Sequence, residues 1–428
     1  MSSQPTAPPS APRPASRATN PRVGSPSAPP GPRAAPLLGH LPAFRRDRLG
    51  FLARMAAEHG DIARWRVGPY RVWQLSHPEW VGEVLVTHAD RFRKGPVLRR
   101  ARAVLGEGLL TAEGEPHRRH RRLVQAAFQR RRVAGYAATM TTRAVAMADR
   151  WHPAQPVDAH AEAVRATLGV AGETLLGTDV DADVDAIEAA IADLLSAYRL
   201  ARRRLQERGR ELDDRTEELE RLLELGEADL DAPVEVLLLL AGHETTANAL
   251  AFACHLMAAH PEVAARVHAE VDTVLADRDP GFEDCARLPV TRGVLGEALR
   301  LFPPSWAIAR QAVTPWETGG HRIVSASAQS STSTSTVYCW PPVENSLPFV
   351  YASPETSTVT VSSPRFGAGA RQCLGEGFAW TEGTLALAVI ARRWHLEAVA
   401  GAPVRLDPLI TLRPRHGVWV RPRARCRP

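Results

Sequence analysis

The run Phe366-Gly367-Ala368-Gly369-Ala370-Arg371-Gln372-Cys373-Leu374-Gly375 places its residues in the pattern that most constrains the chemistry. Glycines ahead of the cysteine let a backbone turn approach a flat group closely, where a side chain would collide. The next stretch, Leu374 to Trp394, carries Phe378, Leu385, Val389 and Ile390 on one apolar helical face, so Cys373 stands at a helix N-terminus. There the helix dipole and free N–H groups favour an anionic sulfur. Such a thiolate suits the iron of a haem, because it pushes electron density toward the metal and favours O–O cleavage. Phe366 is expected to shield the sulfur from water. A lone cysteine is more often a buried apolar residue, but the Gly, Arg and Phe spacing argues against that reading.

A second constellation lies in Leu237-Leu238-Leu239-Leu240-Ala241-Gly242-His243-Glu244-Thr245-Thr246, an apolar helix that abruptly turns polar. Gly242 costs about 1 kcal/mol relative to alanine in a helix, which points to something passing close to the backbone. The Thr245 hydroxyl can bond back to a carbonyl one turn earlier, bending the helix and opening a groove. Glu244 beside it supplies a carboxylate, and a hydroxyl next to an acid suits proton delivery to activated dioxygen by general acid catalysis. His243-Glu244 would also begin a zinc-protease HExxH, but Ala247 stands where the second histidine is needed. A threonine satisfied by its own helix in an ordinary core is the plain alternative.

Glu297 and Arg300, three apart in GEALRLFPPSW, share a helix face. Alone, such a pair is a common surface ion pair of little value. A helix beginning His117-Arg118-Arg119-His120-Arg121-Arg122 sets His117 and Arg121 four apart on one face. Carboxylates are best matched by the planar fork of arginine, and Arg310 and Arg371 are further candidates to meet them. Seven arginines between Arg118 and Arg132 also admit a solvated face, an acidic protein partner or a nucleic-acid patch.

The elements that must hold these residues are mostly helical. Residues 1–28, rich in Pro, Ser, Ala and Arg, read as a disordered tail. Leu49 to Glu58 reads as a helix, and Ile62 to Leu75 as a hairpin around Gly68-Pro69. From Arg118 to Pro303-Pro304 the pattern is helical, and strands return after it. The charged stretch Ala189 to Leu225 reads as an exposed amphipathic helix pair. Between Arg322 and Arg365 stand 42 residues without Lys or Arg, where the chain average would place about five. This 324–364 region is rich in Ser, Thr and Val; it reads either as a Ser/Thr loop or as a shifted reading frame in an otherwise uniform gene.

Composition sets the frame. Hydrophobic residues at 44% allow a substantial core. The formal charge of +6 comes almost wholly from arginine, since Lys94 is the only lysine. Cys254, Cys285, Cys339, Cys373 and Cys426 show no CxxC spacing, which excludes a zinc site of that type and a disulfide framework and fits a reducing cytoplasm. No apolar stretch reaches the roughly 18 to 20 residues that span a bilayer, so no membrane association is expected.

Taken in order, the Thr245 region, Glu297/Arg300 and the Cys373 loop resemble the cytochrome P-450 family of the soluble bacterial type, from about Pro29 to Val420. The resemblance implies a mainly α single domain with a small β region over residues 29–428, and haem b ligated by Cys373. It implies that His117 and Arg121 bind propionate, and that Glu244 and Thr245 form an acid-alcohol pair. It also implies that Glu297 and Arg300 are joined by an arginine from a loop before the cysteine, and here that loop falls in the stretch without basic residues. The activity implied is a monooxygenase acting on a lipophilic small molecule, with electrons from ferredoxin and its reductase, as a monomer and without nucleic acid. The rival readings are a haem-thiolate enzyme that does not use dioxygen, and an inactive haem-binding remnant.

Overall fold

The computed structural model describes residues 29–178 (except 68–69, 96–97, 100–101 and 103–105), 233–323 (except 319), 335–339 and 365–425. The expected tail at 1–28, the amphipathic pair at 189–225 and most of the 324–364 segment lie outside the described residues.

Two short helices, α1 (Leu41–Arg46) and α2 (Arg48–His59), open the ordered chain. Asp47 starts α2 by accepting a hydrogen bond from the Gly50 N–H, which satisfies one of the free donors of the first turn. The expected hairpin follows as β1 (Ile62–Val67) and β2 (Tyr70–Leu75), with Val67 opposite Tyr70 across the Gly68-Pro69 positions. After α3 (Pro78–Gly82) and a π-turn at Glu83–Thr87, β3 (Phe92–Lys94) is a short strand. Later β5 (Ile308–Ala312) and β8 (Ser335–Cys339) complete a five-stranded sheet in the order β1-β2-β8-β5-β3. Within the Ser/Thr-rich segment, therefore, Ser335–Cys339 pairs parallel with β2 and antiparallel with β5.

The helical body consists of α4 (Gly114–Gln125), α5 (Arg130–Asp149), α6 (Ala159–Ala171), α7 (Pro233–Ala259), α8 (Pro261–Leu275), α9 (Pro289–Leu301) and α10 (Glu376–Arg393). Alanines at 247, 249, 251 and 253 let neighbours approach α7 closely, and Phe252 stacks on Phe302 with ring centroids 4.4 Å apart. α10 is buried along nearly its whole length from Phe378 to Ala391, more than the single apolar face expected, and the burial takes in Thr381, Glu382 and Thr384. The remaining strands, β4 (Val157–Asp158), β9 (Trp394–Ala398), β12 (Trp419–Ala424), the hairpin of β6 (Trp316–Thr318) with β7 (His321–Ile323) and the hairpin of β10 (Leu406–Pro408) with β11 (Leu412–Pro414), form small sheets.

Two helix starts differ from the sequence expectation. α4 begins at Gly114, not His117, because Glu113 is extended, Gly114 adopts φ +57°, and Pro116 favours the first turn. α10 begins at Glu376, two residues later than expected, because a 3-10 turn at Gly369–Arg371 closes the cysteine loop first.

Candidate functional site

The Cys373 N–H donates to the Phe366 carbonyl at 2.8 Å, closing the loop between the two residues whose spacing defines it. Gly367 and Gly369 both take left-handed φ, +72° and +67°. A Cβ on Gly369 would collide with the Leu85 carbonyl oxygen, so the approach this glycine serves is to the π-turn at Glu83–Thr87. The Phe366 ring packs against Trp380 of α10, with centroids 5.8 Å apart. Cys373 retains exposed surface, yet desolvation raises its thiol pKa, which together describe a side chain lining a recess. A hydrogen bond from the Gly375 N–H and the nearby Arg121 charge pull the other way. The helix terminus thus supplies the expected donor, but burial outweighs it, and the free thiol keeps its proton.

Beside this loop, cations gather around the buried Lys94. Lys94 and Arg310 are direct partners across β3 and β5, a like-charge pairing that is unfavourable on its own. The Lys94 ammonium donates to the carbonyls of Leu109 at 3.0 Å and Ala112 at 2.6 Å. Burial, then the Arg371 and Arg310 charges, push its pKa down to about 8, against the pull of Glu113. Glu113 accepts from the Lys94 N–H and pairs with Arg371. His117, also buried, is pushed down to about 4 by desolvation and by Lys94, Arg371 and Arg121, so it is neutral at pH 7. Arg121 donates to the Gln372 carbonyl at 2.7 Å, bridging α4 to the cysteine loop. All four expected residues, His117, Arg121, Arg310 and Arg371, therefore meet at one place. Lys94 thus stands among the charges of Arg310, Arg371 and Glu113.

On α7 the Thr245 hydroxyl donates to the Ala241 carbonyl at 2.8 Å, the backward bond expected of it. A Cβ on Gly242 would meet only Ala171 and Leu175 side chains at 3.7 Å, ordinary contacts, so no close protein neighbour demands this glycine. The Glu244 carboxylate accepts from the Thr411 hydroxyl at 2.6 Å, a partner on the β10–β11 hairpin. One turn on, Asn248 bonds His160 at 2.9 Å.

Beneath the cysteine loop, Arg300 Nε and Nη2 reach the Glu297 carboxylate at 3.0 and 2.7 Å, and Glu297 is buried. The stretch without basic residues ends at Arg365, and this arginine lies beside Glu297 and Arg300, so the loop does bring a guanidinium to the pair. Glu382 on α10 is fully buried next to Thr246, whose hydroxyl points to the Gly242 carbonyl at 3.3 Å; neither carboxyl oxygen of Glu382 has a well-formed bond. Burial raises its pKa well above the usual carboxylate range and so favours the protonated acid.

The sequence profile described as Cytochrome P450 matches residues 29–203 and 199–418. The chain belongs to the cytochrome P450 family. Among relatives of this P450, the cyclooctat-9-en-7-ol 5-monooxygenase of Streptomyces melanosporofaciens is 36% identical over 414 residues, covering 86% of this chain and 90% of that one. The cyclooctatin synthase of the same organism is 34% identical, with 89% and 92% covered. The pentalenene oxygenase of Streptomyces avermitilis is 32% identical, with 89% and 94% covered. The crystal structure of the cytochrome P450DA heme domain superposes with a TM-score of 0.76 at 24% identity, over 94% of this chain and 98% of that one, which shows the shared fold.

The mainly α fold with a small β region is thus the P450 fold, and the chain is an enzyme of the P450 monooxygenase class with haem b as cofactor. Its own residues fit that group: a thiol in a recess, and next to it a cluster of cations of the sign that propionates require. Sequence reasoning missed Lys94, Glu113, Arg365, Glu382 and Thr411. Lys94 alone carried a signal, as the single lysine in an arginine-rich chain.

Proposed function

We propose that this P450 inserts one atom of dioxygen into a C–H or C=C bond of a lipophilic, terpene-type small molecule, working as a monomer in the cytoplasm. Two electrons come from a ferredoxin and its reductase, and two protons carry the second oxygen atom away as water. The observation that carries the substrate class is the full-length similarity to three oxygen-transferring or synthase relatives, two of them named for cyclooctat-9-en-7-ol and pentalenene, an unsaturated alcohol and an unsaturated hydrocarbon.

The haem, when bound, supplies the oxygen chemistry, while the protein supplies ligand, charge and protons. Cys373 gives the sulfur ligand, steadied by the Gly375 N–H and by the loop closure at Phe366. Gly367, in left-handed φ, turns the loop beneath it. Arg310, Arg371 and Lys94 neutralise the propionates, with His117 and Arg121 completing the cradle. Thr245 presents a hydroxyl and Glu244 a carboxyl group that would relay protons, with Thr411 donating to it to hold its orientation. Exposed Arg118, Arg119, Arg122 and Arg130 to Arg132 lie on α4 and α5, and Arg121 ties α4 to the cysteine loop. That placement favours an acidic electron donor over nucleic acid.

The test is spectroscopic first. The purified, reduced protein with carbon monoxide should give the red-shifted Soret band of a thiolate-ligated haem, and Cys373→Ser should abolish it. Supplied with ferredoxin, reductase and a panel of polycyclic terpenes, the protein should then form mono-oxygenated products by mass spectrometry. An unchanged spectrum in Cys373→Ser refutes the ligand; a correct spectrum with no turnover of any terpene refutes the substrate class.

A further inference from the structure

We propose that His160, acting through Asn248, is a positioning residue for Glu244. The proposal rests on the reading of Glu244 as the acid that relays protons. His160 stands in the first turn of α6, where Asp158 caps the helix by accepting the His160 N–H at 3.0 Å and also takes the Val418 N–H at 2.9 Å. The start of α6 is therefore held from two sides, and the imidazole meets α7 from a fixed base. His160 Nε2 lies 2.9 Å from Asn248 Oδ1.

Asn248 follows Glu244 by four residues, so the two side chains leave the same face of α7 one turn apart. The asparagine is fully buried, and among the described residues its Nδ2 has no partner. A buried amide donor left unpaired is costly, and an alanine would join the two helices without that cost. Burial, the largest influence on His160, lowers its pKa and favours the neutral ring. A neutral ring with its hydrogen on Nε2 donates to the amide oxygen, which fixes the Asn248 orientation. The two N–H donors of the amide are then what remains for the Glu244 face of the helix.

The surroundings agree with a role centred on this acid. From the hairpin side Thr411 donates to Glu244 at 2.6 Å, and Arg413 stands two residues further along the same extended chain. Arg413 and Glu244 both act on the His160 charge, as does Asp158. α6 also touches α7 at Thr167, seven residues after His160, whose hydroxyl reaches the His243 carbonyl at 3.1 Å. His243 and Asn248 lie on either side of Glu244 along the chain, so α6 holds α7 before and after the acid. In the same turn the Thr245 and Thr246 hydroxyls bond back to Ala241 and Gly242.

The experiment compares His160→Leu, His160→Gln, Asn248→Ala, the double variant His160→Leu/Asn248→Ala and Glu244→Gln, all as holoproteins. Infrared spectroscopy of the reduced carbon monoxide complex reads the C–O stretching frequency, which follows the polar groups near the bound gas. Peroxide released per electron is measured with ferredoxin, reductase and whichever terpene of the panel shifts the ferric Soret band most. His160→Leu and Asn248→Ala should move the C–O band in the direction that Glu244→Gln moves it. The ratio of electrons lost as peroxide to electrons otherwise used should rise about fivefold, the factor equivalent to about 1 kcal/mol for one hydrogen bond. His160→Gln, whose amide N–H can reach the same oxygen, should stay near the parent in both. The double variant should go little beyond either single one, because the two residues act as a pair. Should His160→Leu not accumulate as holoprotein, Asn248→Ala and His160→Gln carry the comparison. A parental C–O band and peroxide ratio in His160→Leu and Asn248→Ala, alongside a changed Glu244→Gln, overturn the proposal alone. Parental values in Glu244→Gln itself overturn the reading of Glu244 and this inference with it.

Discussion

Because the chain has one lysine, the electrostatics of the cation cluster can be read from a single nucleus. Protein grown with lysine labelled by 13C at Cε gives one side-chain lysine resonance, and its chemical shift follows the charge on Lys94. In haem-free protein the titration midpoint should fall at about 8, displaced from an ordinary 10.5 mainly by burial. Between these two pH values the unfolded chain holds a proton that the folded one has released, so folding stability rises with pH across that window. The rise amounts to about 3 kcal/mol, from a gap of about 2.5 pH units at about 1.4 kcal/mol each. Below pH 8 the cost of holding the buried ammonium is present in full. Lys94→Met should remove this alkaline rise, and denaturant titrations at several pH values would measure it. Loading the protein with haem should move the midpoint upward, because two propionates favour the charged amine. A midpoint near 10.5 in haem-free protein would refute the burial argument. A midpoint that stays at 8 after loading would refute the assignment of the cluster to propionates.

Glu382→Gln should make the folded protein progressively more stable than the parent as pH rises above about 4.5, by up to about 1.4 kcal/mol per pH unit, because the buried acid keeps a proton that the unfolded chain releases. Parallel pH profiles of unfolding for the two proteins would contradict that. Thr411→Val removes the hydroxyl that holds the Glu244 carboxylate and should lower stability by about 1 kcal/mol. It should also divert electrons from product to peroxide or water, with Thr411→Ser retaining the parent's coupling; equal product per electron in Thr411→Val would count against the orienting role.

The parts legible in the sequence are those whose residues are close in the chain. The turn glycines, Cys373 and the apolar face of α10 lie within one stretch, and the polar step at Gly242 to Thr246 interrupts an apolar helix. The hairpin at 62–75 follows from alternation and a Gly-Pro turn. What escaped was assembled across the fold. Thr411 reaches Glu244 from a hairpin 167 residues later, and Glu113 meets Arg371 across 258 residues. No local pattern encodes such distances. The desolvation of the free Cys373 thiol is likewise not readable locally: a helix terminus is visible in sequence, but burial depends on everything packed around the loop. Arg365 stands at the very end of the basic-free stretch, and only the fold brings it beside Glu297 and Arg300.

Strand β8 has a bearing on how this chain tolerates change. It sits between β2 and β5, and β5 carries Arg310 to its place opposite Lys94. Neighbouring strands recruit it through main-chain amides and carbonyls, groups that every residue except proline provides in full. The 17 positions 323–339 contain no proline, and Val and Thr suit a pleated ribbon. A Ser/Thr-rich stretch without basic residues can therefore be accepted at the middle of the sheet, and Arg310 still arrives opposite Lys94.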